Sequence, residues 1–180
     1  MIVIVGESAS GKTTLVKQFV KKHPDYARVV TYTTRPPRDG EVDGVDYHFV
    51  SDEAFEKLSS EGYFVEENVY RGWYYGTAFK DCQIDKAIIV LTPAGFRALK
   101  MQTMFDEDKP VIVYLCVDRR SRLISMLKRG DDIEEAYRRS LSDVGQFDGV
   151  DKEADIVINN GGFMLAPFEV VEALDVALMN

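Results

Sequence analysis

Lys12 and Thr13 close the run Gly6-Glu7-Ser8-Ala9-Ser10-Gly11-Lys12-Thr13, which has the spacing G-x-x-x-x-G-K-T. These residue types in this order can cradle phosphate. Gly6 and Gly11 let the backbone curl until successive N–H groups point at one place, and the start of a helix adds partial positive charge there. Lys12 supplies a mobile cation for the β- and γ-phosphates of a nucleoside triphosphate. The Thr13 hydroxyl is placed to take one position on a Mg²⁺ bound to those phosphates. Residues 6–14, Thr14 included, are the expected phosphate-binding segment.

A second chemical group follows at Arg35-Pro36-Pro37-Arg38. The prolines fix the backbone between two guanidiniums, and planar forks held apart in this way can clasp one phosphate from two sides. Tyr47 is near enough in sequence to donate a further hydrogen bond. Pairing of both arginines with the abundant neighbouring acids is the competing reading. Glu66 is a carboxylate that could accept parallel N–H bonds from the N1 and 2-amino groups of guanine, or stand solvated on a strand. The cluster Trp73-Tyr74-Tyr75 reads first as packing, with Tyr75 set between Gly72 and Gly76. A third basic group lies further on, in Arg119, Arg120, Arg122, Lys128, Arg129, Arg138 and Arg139.

The elements that must position these groups alternate. Ile2-Val3-Ile4-Val5 is a short β-branched run ended by Gly6, and an apolar-periodic helix is expected over residues 12–22, stopped at His23-Pro24-Asp25. A second strand is expected over 27–31, and a hairpin around the alternating Val45, Tyr47 and Phe49. Ser51 reads as the N-cap of a helix over 51–61, followed by a strand over 63–71 and, after the turn at Gly72, another extended piece. Ala87-Ile88-Ile89-Val90-Leu91 reads as a buried strand, and Thr92-Pro93 as the cap and first residue of a helix to about Met104. A buried strand over 111–117 leads to a helix capped by Asp118, a second helix starts near Asp132, a fifth short strand covers 155–160, and a final amphipathic helix runs over 166–178. This order predicts an α/β fold with a mainly parallel five-stranded sheet and the phosphate loop at its carboxyl edge.

Length and composition narrow the classes. A chain of 180 residues suits one domain with an insertion. No apolar run is long enough to span a bilayer, and a first strand at residue 2 is read as leaving no room for a leader. Cys82 and Cys116 lack metal-ligand spacing, so a reducing, cytoplasmic setting is expected. Thirty acidic against 22 basic residues give a net charge of −8, which disfavours a nucleic-acid partner. Monomer and homodimer are both compatible with the sequence.

The phosphate loop, followed by Thr33-Thr34-Arg35-Pro36-Pro37-Arg38-Asp39-Gly40-Glu41, Asp46-Tyr47-His48-Phe49-Val50, Phe64-Val65-Glu66 and Tyr74-Tyr75-Gly76-Thr77, resembles the guanylate kinases over essentially the whole chain. The resemblance implies transfer of the γ-phosphoryl of ATP to GMP, with Mg²⁺, on a P-loop core made of residues 1–31 and 80–180. It also implies a GMP-binding insertion over about 32–79 and a helical lid over about 128–147. Carried over by position, it implies that Arg35, Arg38, Tyr47 and Tyr75 hold the GMP phosphate. Glu66 would read the guanine edge, with Thr31, Gly76 and Thr77 beside it, and Lys12, Arg129 and Arg139 would be catalytic. Three positions depart from the family pattern. The run Val90-Leu91-Thr92-Pro93-Ala94-Gly95 lacks the usual pair of carboxylates, Lys128-Arg129-Gly130 stands for G-R-G with the later lid arginine falling on Ser140, and Asn159-Asn160 stands for N-D. These departures leave open a different acceptor (dGMP, another nucleotide or a sugar phosphate), or a non-catalytic module that grips a phosphorylated protein.

Overall fold

The computed structural model describes residues 1–102 and 109–179. Five strands, β1 (Ile2–Val5), β2 (Ala27–Arg28), β7 (Ala87–Val90), β8 (Val111–Cys116) and β9 (Ile156–Asn159), form one sheet in the order β2-β7-β1-β8-β9. Every pairing in it is parallel. A parallel sheet needs cover on both faces, and the strand sequences provide for it by alternation. Val3, Val5, Ile89 and Ile112 pack on one side with Phe96 and Leu99 of α3 (Pro93–Lys100) and Val150 of α6 (Val150–Glu153). Ile2, Ile4, Ile88, Val113 and Leu115 pack on the other with Leu15, Val16 and Phe19 of α1 (Lys12–Lys22) and Val170, Val171 and Leu174 of α7 (Pro167–Leu178).

A second sheet of four strands, β4-β3-β6-β5, is built from β3 (Tyr32–Thr33), β4 (His48–Phe49), β5 (Phe64–Tyr70) and β6 (Trp73–Ala78). The helix α2 (Asp52–Ser60) carries Phe55, which stacks on Phe64 and Tyr74 of that sheet. Gly76 is required where these rings close in, since a Cβ there would lie 2.9 Å from the Phe64 ring. Between β8 and β9 lie α4 (Arg119–Lys128), α5 (Ile133–Ser142) and α6.

Three expectations are corrected. The strand expected over 27–31 pairs with β7 only at Ala27 and Arg28, and the chain then crosses to the second sheet, where Tyr32 and Thr33 pair with Gly76 and Tyr75. No hairpin forms around Val45, Tyr47 and Phe49. Instead β4 pairs in parallel with β3, because the side chains of Asp46 and Asp43 capture the backbone N–H groups of Val42 and Phe49 and replace a local ladder with side-chain bonds. The helix after Thr92 ends at Lys100, with Met101 as its C-cap, and the expected end at Met104 lies outside the described residues.

Candidate functional site

The phosphate loop leaves the carboxyl end of β1 and enters α1. Gly6 is fixed by close approach, since a Cβ would meet the Leu115 carbonyl oxygen and Ser10 Oγ at 2.7 Å each. Gly11, the N-cap of α1, adopts φ 97°, a left-handed conformation that favours glycine, and Ala9 takes φ 60° within the loop. Lys12 Nζ donates to the Glu7 carbonyl at 2.8 Å. Burial first pushes its ammonium down to about 8, against the pull of Asp143 and Glu7. Ser10 is buried and its hydroxyl has no partner among the described residues. Thr13 and Thr14 stand exposed on the first turn of α1.

Around this loop the fold assembles residues to which the sequence assigned no role. Asp143, the C-cap of α5, is buried, and its Oδ2 accepts from the Ser8 N–H at 2.9 Å and from Arg122 Nη1 at 3.1 Å. Its Oδ1 accepts the Tyr70 hydroxyl at 2.5 Å. Arg71 Nη2 donates to Ser8 Oγ at 3.1 Å and to the Arg139 carbonyl at 2.7 Å. Tyr114 donates to Glu7 Oε1 at 3.1 Å. One sequence signal for Arg71 was available: Arg71-Gly72 is a two-residue connection between strands, and both residues take positive φ (57° and 79°), as a type I′ hairpin turn requires. That turn aims the Arg71 guanidinium at the phosphate loop.

Arg35 and Arg38 converge on one anion. Arg35 Nη2 reaches both oxygens of Glu41 at 3.0 and 2.8 Å, while the Arg38 backbone N–H donates to Oε2 at 2.7 Å and its Nη1 lies 3.6 Å from Oε1. Both arginines are thus paired with a neighbouring acid, the competing reading of this segment. Arg35 is buried beneath the rings of Tyr47 and Phe49, at 5.3 and 5.6 Å from their centroids. Tyr47 faces Tyr75 at 6.2 Å, and burial, with Tyr75 behind it, keeps the Tyr47 phenol protonated.

Glu66 is buried on β5 opposite Thr77 on β6, whose hydroxyl donates to its Oε1 at 2.5 Å. Burial pushes the Glu66 carboxyl above the ordinary carboxylate range, and the Thr77 and Asn68 donors oppose that push. The solvated-strand reading of Glu66 is excluded by an exposure of 3%. Thr31, also buried, lies where the chain passes between the two sheets, and its carbonyl accepts the His48 N–H.

The later arginines meet at Asp131. Arg129, at the end of α4, pairs with it through Nε and Nη2, and Arg139 reaches it through Nη1 at 2.8 Å. Arg129 first, with Arg139 and Arg38 behind it, holds the Asp131 carboxyl below its usual range. Arg138 faces away, exposed, over Trp73. Ser140 is turned into the protein, where its Oγ accepts from Arg119 Nε at 2.7 Å. Arg38 is pushed down by burial and then by the like charges of Arg35 and Arg139. The phosphate loop, the Arg35–Arg38 pair and the arginines around Asp131 therefore lie within electrostatic reach of one another.

Such an arrangement can hold two phosphate-bearing ligands side by side, with a buried carboxylate placed for a base. The family described as guanylate kinase matches residues 1–176. A guanylate kinase of Nostoc sp. is 34% identical over 186 residues, covering 100% of this chain and 89% of its own length. One of Nitratidesulfovibrio vulgaris is 36% identical over 149 residues, covering 81% of this chain and 72% of its own. The crystal structure of guanylate kinase from Anaplasma phagocytophilum superposes with a TM-score of 0.68 at 19% identity, covering 99% of this chain and 84% of that one, which supports the fold.

Proposed function

The chain belongs to the guanylate kinase family, and from that premise we propose that it is an enzyme transferring the γ-phosphoryl group of ATP to the phosphate of GMP, giving ADP and GDP. The observation that carries this reading is the grip of Arg35 and Arg38 on a single carboxylate, that of Glu41. Two cations already arranged around one anion are preorganised for an acceptor phosphate. In this reading Arg35, Arg38, Tyr47 and Tyr75 hold the GMP phosphate, Glu66 accepts from the guanine N1 and 2-amino groups, and Thr31, Gly76 and Thr77 line the base site. Residues 6–14 bind the ATP phosphates.

Lys12, Arg129 and Arg139 supply positive charge where negative charge spreads over the moving phosphoryl group, so that positioning and electrostatics lower the barrier without a covalent enzyme intermediate. Thr13, exposed at the second residue of α1, carries a hard oxygen donor, which fits Mg²⁺ brought in on the phosphates. When bound there, Mg²⁺ would neutralise phosphate charge. We assign residues 32–79 to the acceptor insertion and 128–147 to a lid whose closure excludes water, with the core in 1–31 and 80–180. No described helix is long and apolar enough to cross a membrane, and Cys82 and Cys116 are free thiols, which supports a cytoplasmic setting. The net charge of −8 supports small-molecule substrates rather than a nucleic acid.

The test is a coupled ADP-release assay with ATP and Mg²⁺ that presents GMP, dGMP, AMP, CMP, UMP and ribose bisphosphate side by side. Selective turnover of GMP is expected. Turnover of another acceptor in its place would reassign the clasp, and no turnover of any of them would overturn the enzyme reading.

A further inference from the structure

Glu66 is held by more than its strand partner. Its Oε2 accepts from Asn68 Nδ2 at 3.2 Å, Asn68 Oδ1 accepts the Thr92 hydroxyl at 3.1 Å, and Thr92 Oγ1 accepts the Gly95 N–H at 3.1 Å. The direction of this relay is set at its Glu66 end. An ionised carboxylate can only accept, so Asn68 turns its NH₂ to Glu66, and the Thr92 hydroxyl, which accepts from the Gly95 N–H, donates to the Asn68 carbonyl oxygen. The flipped amide would set a carbonyl oxygen against a buried carboxylate.

The relay is closely packed. A Cβ on Gly95 would lie 3.0 Å from Glu66 Oε2 and 3.1 Å from Asn68 Nδ2, so the first turn of α3 closes directly over the pair. The run Val90-Leu91-Thr92-Pro93-Ala94-Gly95, which lacks the carboxylates of the family pattern, thus reaches the base site through an uncharged amide and hydroxyl. Among the described residues, the ionisable groups acting on Glu66 are Glu67 and Cys82. Glu67 on the same strand pushes its carboxyl up, and Cys82, on the 3-10 turn Phe79–Gln83, is itself pushed up to about 12, chiefly by burial, and stays a neutral thiol. The ionised form of Glu66 therefore depends on its two donors, Thr77 and Asn68.

The geometry points to Asn68, oriented by Thr92, as a positioning residue that keeps Glu66 ionised and aims its remaining lone pairs at the N1–H and 2-amino groups of a 6-oxopurine. This inference rests on the reading of Glu66 as the guanine-binding carboxylate. Two of about four carboxylate lone-pair sites are taken by Thr77 and Asn68, which leaves two for the base.

Steady-state kinetics of Asn68→Ala against wild type test it. KM for GMP should rise about tenfold, the worth of one hydrogen bond to a charged group. KM for ATP should hold, and the acid limb of kcat/KM for GMP should move to higher pH, because Glu66 has lost a donor that favours its charged form. Thr92→Val, which frees the amide to turn, should shift the same limb in the same direction. Thr92→Ser, which keeps the hydroxyl, should restore it, and this pair serves as the test if Asn68→Ala does not fold. Wild-type KM for GMP with an unmoved acid limb, or equal rises in KM for GMP and ATP, would overturn the inference. Wild-type enzyme using AMP as readily as GMP would instead overturn the reading of Glu66 on which it rests.

Discussion

Asp143 and Ser8 lie 135 residues apart in sequence and share two hydrogen bonds, from the Ser8 N–H to Oδ2 at 2.9 Å and from the Ser8 hydroxyl to Oδ1 at 3.2 Å. Arg122, Arg71 and Tyr70 complete the surroundings of the same carboxylate, so one buried anion joins the phosphate loop to α4, to α5 and to the β5–β6 hairpin. Removing one partner of a buried charged cluster leaves the others uncompensated. Asp143→Ala is expected to lower unfolding free energy by about 3 kcal/mol, read from urea denaturation. A midpoint unchanged from wild type would show that the cluster is energetically neutral.

Lys12→Ala should abolish turnover while leaving GMP binding, measured by calorimetry, within a few-fold of wild type. The ammonium is pushed down to about 8 in the free protein, so its charge is present below that pH and lost above it. Activity limited by ATP capture, kcat/KM for ATP, should therefore fall above about pH 8. Lys12→Arg should lack that limb whatever its absolute rate, since a guanidinium keeps its proton.

Glu66→Gln replaces a double acceptor by an amide that presents a donor to the guanine edge. Affinity for GMP should fall by on the order of a hundredfold, a few kcal/mol, while KM for ATP stays near wild type. The raised carboxyl means that the neutral form gains ground at a higher pH than for an exposed glutamate. GMP capture by the wild type should therefore weaken as pH falls, beginning above the usual carboxylate range. Equal losses for both nucleotides would remove Glu66 from base recognition.

Arg139 and Arg138 are adjacent in sequence but differ in surroundings. Arg139 is buried against Asp131 beside Arg129, and Arg138 is exposed over Trp73. Arg139→Ala should lower kcat by about a hundredfold or more, as loss of a charge that stabilises the transition state does. Arg138→Ala should change kcat less than twofold, because its charge stands in solvent. Comparable losses in the two variants would reject the assignment.

Much of the fold was legible because its determinants are local. A β-branched run, a glycine-rich turn and a periodic helix are specified within some twenty residues, and the buried strands announce themselves by continuous apolar runs. The pairing of Arg35 and Arg38 with a neighbouring acid was legible as one of two readings for the same reason, since Arg35, Arg38 and Glu41 lie within seven consecutive residues. The expected hairpin around Tyr47 failed because two aspartates compete for the backbone N–H groups, and alternation of side chains does not reveal that competition.

By itself, then, the sequence determined the strand-loop-helix connection at Gly6–Lys12, the alternation of strands and helices, and the closeness of Arg35 and Arg38 to Glu41, all of which follow from neighbours along the chain. Tertiary structure alone decided which arginine of the 138–139 pair faces Asp131, that Asp143 meets the phosphate loop, and that Thr92 reaches Glu66 through Asn68. Asp143 with Ser8 and Thr92 with Asn68 join elements far apart in the chain, and the Arg139–Asp131 contact depends on which side of α5 packs inward, so these geometries exist only once the elements have packed and the surrounding water is gone.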